Sequence, residues 1–183
     1  MTQHVLDIVD ARHLGPELAD YARRVEPTSG IVLDFILSRP VSKMNSIVMT
    51  ADPPSMGCII SNTDPSVAPP GKQLGTWFQF IPYEKTKDRE YINRESEGLI
   101  ALVGQVFPGI WDACEWKRTL VAPVVDGAML KVGQTWTERA PLVAPNVENL
   151  FFVGDTTCGV GCGGDIALDS ALRASRLVRK YLG

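Results

Sequence analysis

The hydrophobic pattern of the chain changes period several times, and each change predicts a different element. Between His4 and Val25 apolar residues recur at helical spacing with a break at Gly15-Pro16, which predicts a short and a longer helical piece. Short apolar runs rich in β-branched and aromatic residues then predict strands over residues 29–38, 46–50, 56–61 and 74–81. Because turn residues separate these runs closely, antiparallel pairing is favoured over crossover connections.

The second half of the chain is less regular. The spacing of Ile92, Leu99, Leu102, Val103 and Val106 predicts an amphipathic helix over residues 88–106. A strand is predicted at residues 115–122, whereas residues 126–145 have no clear period. The run Asn149-Leu-Phe-Phe-Val153 predicts a buried strand. A last helix is predicted over residues 165–182, with one helical stripe formed by Ala167, Ala171, Ala174, Val178 and Tyr181.

Composition places the chain among globular proteins and gives little sign of a charged partner. It has 183 residues, of which 45% are hydrophobic and 21% charged, with a formal net charge of −3. This balance gives no electrostatic reason to expect nucleic acid or an anionic membrane as a partner. Membrane contact is compatible with the sequence but not indicated by it. No signal peptide or run of about 18 apolar residues is found, so a cytoplasmic location is expected.

The residue types that carry much of enzyme chemistry are sparse. The two histidines, His4 and His13, lie near the N-terminus, which disfavours hydrolytic triads and histidine-based metal sites, and no metal is predicted. The four cysteines are too few for a disulfide framework and are expected to be free thiols. Four tryptophans fit either the protein core or the lining of a lipid or polyene pocket: Trp77, Trp111, Trp116 and Trp136.

The strongest chemical signal is a glycine-rich loop between the predicted strand at 149–153 and the last helix. The spacing Gly159-x-Gly161-x-x-Gly164 fits the dinucleotide fingerprint, in which glycines let the backbone approach a pyrophosphate at a helix N-terminus. A complete dinucleotide site also needs a second strand after the helix and an acidic residue about twenty positions on. The sequence shows neither after the helix, so the alternatives are half of a cofactor site or a structural turn.

Longer motifs around this loop show a family resemblance. Pro145-Asn-Val-Glu-Asn-Leu-Phe-Phe-Val-Gly-Asp155, followed by the loop and Ala167-x-x-Ser170-Ala171, resembles the C-terminal flavin-binding segment of FAD-dependent oxidoreductases. The chain is most similar to the phytoene-desaturase and carotenoid-isomerase-like group of the flavin amine-oxidase superfamily. The proline-rich segment 63–83 resembles that group's substrate domain, and residues 29–40 and 136–141 fit the same order.

The resemblance implies an α+β fold that is part of a flavoprotein. Residues 1–145 would be a portion of the substrate-binding domain, with a mostly antiparallel sheet and helices. Residues 146–183 would be the C-terminal strand, loop and helix of the FAD-binding domain. The family's N-terminal Rossmann unit, which binds the ADP half of FAD, is expected to be absent from this chain.

The resemblance also assigns the candidate cofactor residues. Asp155 would interact with the ribityl or pyrophosphate part of FAD, and the amides around Gly163, Gly164, Asp165 and Ile166 would face the flavin pyrimidine edge. Reduction places negative charge near flavin N1 and O2, where helix N–H groups can stabilise it. The cysteine at 158 and the carboxylate of Asp165 depart from the family pattern. The full candidate set is Gly154, Asp155, Thr156, Gly161, Gly163, Gly164, Asp165 and Ile166.

The implied function is that of a component or fragment of an FAD-dependent oxidoreductase that transfers hydride from an apolar, isoprenoid-like substrate to flavin. The expected partner is a chain that binds the nucleotide part of FAD, or a second copy of this chain. Three explanations for the expected half-site remain open: a split enzyme, a shortened reading frame, or a protein reused as a non-enzymatic interaction or lipid-binding module.

Overall fold

A computed structural model describes residues 2–125, 127–129, 131–132 and 134–183. Short 3₁₀-helices lie at Thr2–Asp7, Pro65–Val67, Tyr83–Lys85 and Ile110–Ala113. The α-helices are α1 Ala11–Leu14, α2 Pro16–Arg24, α3 Ile60–Thr63, α4 Arg89–Val106 and α5 Gly164–Leu182. The strands are β1 Ser29–Leu37, β2 Val48–Ala51, β3 Pro54–Cys58, β4 Gln73–Ile81 and β5 Cys114–Ala122.

The chain forms two compact units. One comprises residues 29–123 and contains all five strands; the other comprises residues 1–28 and 124–183. They are called the sheet unit and the loop unit here. The predicted division into a substrate-domain portion, residues 1–145, and a C-terminal flavin-domain segment, residues 146–183, stays a prediction.

The sheet unit is one antiparallel sheet with strand order β2-β3-β4-β1-β5. Antiparallel pairing was predicted from the short turns, and it is confirmed. Alternate residues of β1 from Ile31 to Leu37 point to one face and are fully buried. They pack with Trp77 of β4 and with Leu99 and Val103 of α4. The predicted amphipathic helix therefore covers this face, as its apolar stripe requires.

The loop unit has a smaller core, and none of the five strands lies in the described part of this unit. The side chains of this core come from the N-terminal 3₁₀-helix, from α1 and α2, and from the segments before α5: Val5, Leu14, Leu18, Tyr21, Ala22, Val25, Ala140, Ala144 and Phe152. The break predicted at Gly15-Pro16 is confirmed, since α1 ends at Leu14 and α2 begins at Pro16.

The predicted strand at residues 149–153 is wrong. Within the described residues this segment forms a single isolated bridge, in which Val143 pairs with Phe151. Its apolar run reflects burial, because Phe152 lies in the loop-unit core while its neighbour Val153 is 58% exposed. A strand needs a continuous ladder of partners, and one bridging pair does not provide it.

Two smaller predictions are also corrected. The strand predicted at 56–61 lies at Pro54–Cys58, and the chain turns into α3 immediately afterwards. The stripe predicted for the last helix is displaced: the buried residues of α5 are Ile166, Ser170 and Ala174, whereas Ala171 and Tyr181 are exposed. The reason is that α5 packs through Ser170, whose hydroxyl forms hydrogen bonds in the interior. A hydrophobic pattern does not identify a buried polar residue.

Asp88 caps α4, and its loss should destabilise the sheet unit. Its carboxylate accepts the N–H of Tyr91 at 3.1 Å and a hydrogen bond from Lys85 at 3.0 Å. The Tyr91 amide, and then Lys85, hold the pKa of Asp88 below its usual range. We expect Asp88→Ala to lower the free energy of unfolding, and Asp88→Asn to retain most of it because an asparagine oxygen also caps.

The pH dependence of this cap has a definite sign. Because the folded-state pKa is the lower one, the stabilisation is present above the unfolded pKa of about 4 and is lost as the pH falls below it. Urea unfolding at pH 7 and pH 3 measures this. The difference between wild type and Asp88→Ala should shrink at pH 3, and an undiminished difference would argue against the cap.

Candidate functional site

The glycine-rich loop joins residue 153 to α5 and lies wholly within the loop unit. All eight predicted cofactor residues are here, in a stretch of thirteen positions: Gly154, Asp155, Thr156, Gly161, Gly163, Gly164, Asp165 and Ile166. Ile166 and Thr156 are buried, Asp155 is half-buried, and Gly164 and Asp165 are exposed. The cofactor roles of these residues stay predictions.

Asp155 is positioned by a backbone turn that sequence reasoning did not identify. Its Oδ2 accepts the N–H of Ala128 at 2.9 Å. The preceding residue, Gly127, has φ +87°, and a Cβ there would lie 1.7 Å from the same oxygen. A glycine is therefore required at 127 for the carboxylate to reach this amide. A carboxylate has about four acceptor positions, so Asp155 keeps acceptor capacity for a ligand hydroxyl.

Thr156 is held from α2. The buried hydroxyl of Tyr21 donates to the carbonyl of Thr156 at 2.7 Å. Burial is the main cause of a raised pKa at Tyr21, so this hydroxyl stays protonated and keeps donating. Ser170 of α5 holds the residue two positions earlier, because its Oγ accepts the N–H of Gly154 at 2.9 Å. Both ends of the Gly154–Thr156 segment are thus attached to helices.

The middle of the loop is held by charged side chains. Asp169 accepts the N–H of Val160 at 2.9 Å, Arg173 donates to the carbonyl of Cys158 at 2.6 Å, and Arg139 donates to that of Gly159 at 3.2 Å. The Val160 amide is the main cause of a lowered pKa at Asp169. The loop also passes close to α5, since a Cβ on Gly159 would lie 2.2 Å from the carbonyl oxygen of Ile166.

The end of the loop is left with open donors. Within the described residues no acceptor is found for the N–H groups of Gly161, Cys162, Gly163 and Gly164, whereas Asp165 and Ile166 donate to carbonyls of the loop itself. Of the four amides predicted to face the flavin, two are therefore engaged within the chain. The open amides lie at the N-terminus of a 19-residue helix, whose dipole favours negative charge there by about 0.3–1 kcal/mol.

Gly164 is the one loop glycine that the chain itself does not explain. Gly154, Gly161 and Gly163 have positive φ, and Gly159 contacts the Ile166 carbonyl. Gly164 has neither property: its φ is ordinary, and a Cβ there would meet nothing within 4 Å. Space for a side chain is thus left empty beside the open amides. A flat ligand lying against this backbone fits that space, so the residues present are compatible with a flavin.

A cleft of about 770 Å³ elsewhere in the loop unit contains none of the predicted cofactor residues. It lies between α2 and residues 137–145, and both acidic and basic side chains line it: Glu17, Asp20, Arg24, Glu138 and Arg139. We place the candidate site at the loop rather than in this cleft because the open backbone donors and the unexplained glycine are at the loop.

The sheet unit presents a second feature of interest, the sheet face opposite α4. A row of apolar residues in register crosses all five strands there: Met49, Met56, Phe78, Val32 and Leu120. Phe80, Trp116 and Leu120 on this face are 40–44% exposed. One ion pair interrupts it, in which Arg118 contacts Asp34 at 3.0 Å. Trp77 is confirmed as a core residue, whereas Trp116 and Trp136 are not in the core.

Comparison with known proteins supports the fold. The chain is similar to the crystal structure of an oxidoreductase from Methanosarcina mazei, with a TM-score of 0.61 and 19% sequence identity. The match covers 86% of this chain and 36% of that chain, so this chain spans about a third of the neighbour's length. The protein therefore has an α+β fold like that of part of an oxidoreductase.

The other comparisons and searches add no identification. No protein-family model matches the chain, and no curated protein matches it. None of the described helices is long and apolar enough to span a bilayer. Across the described ranges, no three His, Cys, Asp or Glu side chains are grouped in a way that could hold a metal ion.

The contact between Gly127 and Asp155 can be tested by a double-mutant cycle. We expect Gly127→Ala to lower the free energy of unfolding by at least the roughly 1–2 kcal/mol of a left-handed alanine, because its Cβ also displaces the carboxylate. In an Asp155→Ala background the same substitution should cost less, since the clash is gone. Urea unfolding of the four proteins measures the coupling, and additive effects would contradict the contact.

Proposed function

We propose that this chain contributes the flavin-facing loop of an FAD-dependent oxidoreductase. Gly164 is the observation that carries the proposal, since neither backbone conformation nor packing requires a glycine at this exposed helix start. The resemblance of the Pro145–Asp155 motif to flavin-binding segments and the oxidoreductase fold of the neighbour support it. We also propose that the chain belongs to the phytoene-desaturase and carotenoid-isomerase-like group of these oxidoreductases.

Each part of the loop has a definite role in this proposal. Bound FAD would supply the hydride acceptor for oxidation of a substrate carbon–hydrogen bond. The open amides from Gly161 to Gly164 and the N-terminus of α5 stabilise negative charge beside them. The remaining acceptor capacity of Asp155 binds a ribityl hydroxyl or a group near the pyrophosphate. Other polypeptide, in the same protein or in a partner chain, would bind the ADP half.

Exposed apolar side chains near the loop support the proposal of a partner surface. Val153, Val160, Leu168 and Leu172 are each more than half exposed, and all four lie on or beside α5. Contiguous apolar surface on a soluble protein commonly marks an interface. We propose that the nucleotide-binding portion of the enzyme covers them. The cytoplasmic location remains a prediction.

The apolar sheet face supports the proposal of an apolar, isoprenoid-like substrate. Its row of methionine, phenylalanine and aliphatic side chains offers contact area without a matching set of polar groups. Such lining suits a hydrocarbon chain, because affinity comes from apolar area removed from water. A non-enzymatic lipid-binding module would use the same face without the loop. The effect of Gly164→Leu on FAD binding therefore distinguishes the two proposals.

The flavin proposal is tested by glycine-selective isotope labelling. With ¹⁵N-glycine, the chain gives signals from only 16 glycines, so weak binding can be located. We expect millimolar FAD to shift Gly161, Gly163 and Gly164 and to leave Gly98 of α4 unchanged. Binding should be weaker than micromolar, because on this proposal other polypeptide binds the ADP half. Gly164→Leu should abolish the shifts without loss of stability, since the added side chain enters open space.

Gly98 provides the matched control. It is an exposed glycine within α4 whose added Cβ would also meet nothing within 4 Å. Gly98→Leu should raise the free energy of unfolding by about 0.5–1 kcal/mol through helix propensity and leave the FAD response unchanged. Unaltered FAD shifts in Gly164→Leu, or no loop shifts in wild type, would contradict the flavin proposal.

The substrate proposal is tested on β5. Leu120 faces the apolar sheet face, and its neighbour Thr119 is exposed on the opposite face. We expect Leu120→Lys to weaken binding of an isoprenoid alcohol such as farnesol roughly tenfold, the effect of losing one side chain's apolar contact area. The change in tryptophan emission on binding, compared with that of Trp116→Phe to separate Trp116 from the other three tryptophans, reports the binding. Thr119→Lys is the control and should bind as wild type does; equal losses in both variants would place the ligand elsewhere.

A further inference from the structure

Two successive peptide groups of the glycine-rich loop are fixed by charged side chains. The carbonyl of Gly159 and the N–H of Val160 belong to one planar peptide group. Arg139 donates to that carbonyl at 3.2 Å, and Asp169 accepts that N–H at 2.9 Å. The preceding peptide group is fixed through its carbonyl, on Cys158, to which Arg173 donates at 2.6 Å. Gly159, between the two, therefore has a defined conformation on both sides.

The two α5 members also hold each other. Asp169 and Arg173 are four residues apart on the helix, and their charged groups lie 3.3 Å apart. The side chains of Asp169 and Arg173 are each about one-third exposed. Arg139 is held outside the loop as well, because it also donates to the carbonyl of Gln134 at 3.0 Å. The guanidinium groups are thus held by more than the loop, so the loop adapts to them. Glycine has the largest conformational freedom to lose, and its order therefore depends on such outside contacts.

We infer that Arg139, Asp169 and Arg173 are positioning residues that form a clamp on residues 158–160 and thereby present the open amides of Gly161 to Gly164 to the ligand. This inference rests on the proposed function for the identity of the ligand, FAD. The clamp itself rests on the contacts alone. Each charged group matches the backbone group that it binds: the Asp169 carboxylate accepts an N–H, and the guanidinium groups of Arg139 and Arg173 donate to carbonyls.

The ordering effect is measured on the full chain without ligand. We expect Asp169→Ala and Arg173→Met to accelerate hydrogen exchange about tenfold at the bonded amides of this stretch, those of Cys158 and Val160. Alkylation of Cys158, which is half-buried, should accelerate similarly. Asp169→Asn should retain slow exchange, because its amide oxygen still accepts the Val160 N–H. Arg173→Lys should rescue in part, since it keeps one charged donor.

Arg179 provides the control, because it is an exposed arginine on the same helix, six residues beyond Arg173. Arg179→Met should change neither exchange in the loop nor alkylation. Urea unfolding of every variant checks that the fold is intact. If Asp169→Ala fails to fold, Arg173→Lys and Asp169→Asn still give the graded comparison. Wild-type exchange in both Asp169→Ala and Arg173→Met would overturn the clamp.

The presentation effect is measured separately with FAD, using the shifts of labelled Gly163 and Gly164. We expect the apparent affinity for FAD to fall about tenfold in Asp169→Ala and to remain near wild type in Asp169→Asn. Faster exchange with unchanged affinity would overturn the presentation role. If wild type shows no FAD response but exchange changes as expected, the clamp stands and the flavin proposal fails. The two ideas can therefore fail independently.

Discussion

The need to satisfy backbone polar groups governs the arrangement of the loop unit. Residues 154–163 form neither helix nor strand, so their N–H and C=O groups cannot bond in a regular ladder. Several partners are side chains on helices: Tyr21 at Thr156, Ser170 at Gly154, and Arg173 at Cys158. The Ala140 carbonyl also accepts the N–H of Cys158. The path of the loop is therefore held by α2, by α5 and by residues 139–140, and the open amides of Gly161 to Gly164 lie at its end.

The same requirement explains why the strands of the sheet unit could be predicted and the path of the glycine-rich loop could not. A strand pairs with its neighbours through backbone groups that every residue carries, so short apolar runs rich in β-branched and aromatic residues were enough to locate β1 and β4. The helix α4 was equally clear, since its apolar period and the Asp88 cap agree. Local pattern and tertiary packing point to the same structure in these elements.

In the loop unit pattern and packing disagree. The run Leu150 to Val153 reads as a strand because it is apolar, yet hydrophobicity reports burial and does not report a pairing partner. Ser170 was missed for the opposite reason, being polar and fully buried. The glycine spacing located the loop correctly, but the partners of the loop lie up to 135 residues away, as with Tyr21 and Thr156. The Asp169–Arg173 pair, four residues apart, was the one local signal of the clamp.

A glycine in a motif points to a ligand only when neither its backbone conformation nor its packing within the chain requires a glycine. In this loop, positive φ accounts for three glycines and the Ile166 carbonyl for a fourth, so the fingerprint spacing by itself would arise in a purely structural turn. Gly127, far outside the motif, proves as constrained as any of them because the Asp155 carboxylate occupies the place of its Cβ. Among the glycines of the loop, Gly164 alone combines open space with ordinary backbone geometry. A glycine at a helix start that neither stabilises the helix nor relieves a contact leaves room for a ligand, and the open amide donors beside it would suit the electron-rich ligand of the proposed function.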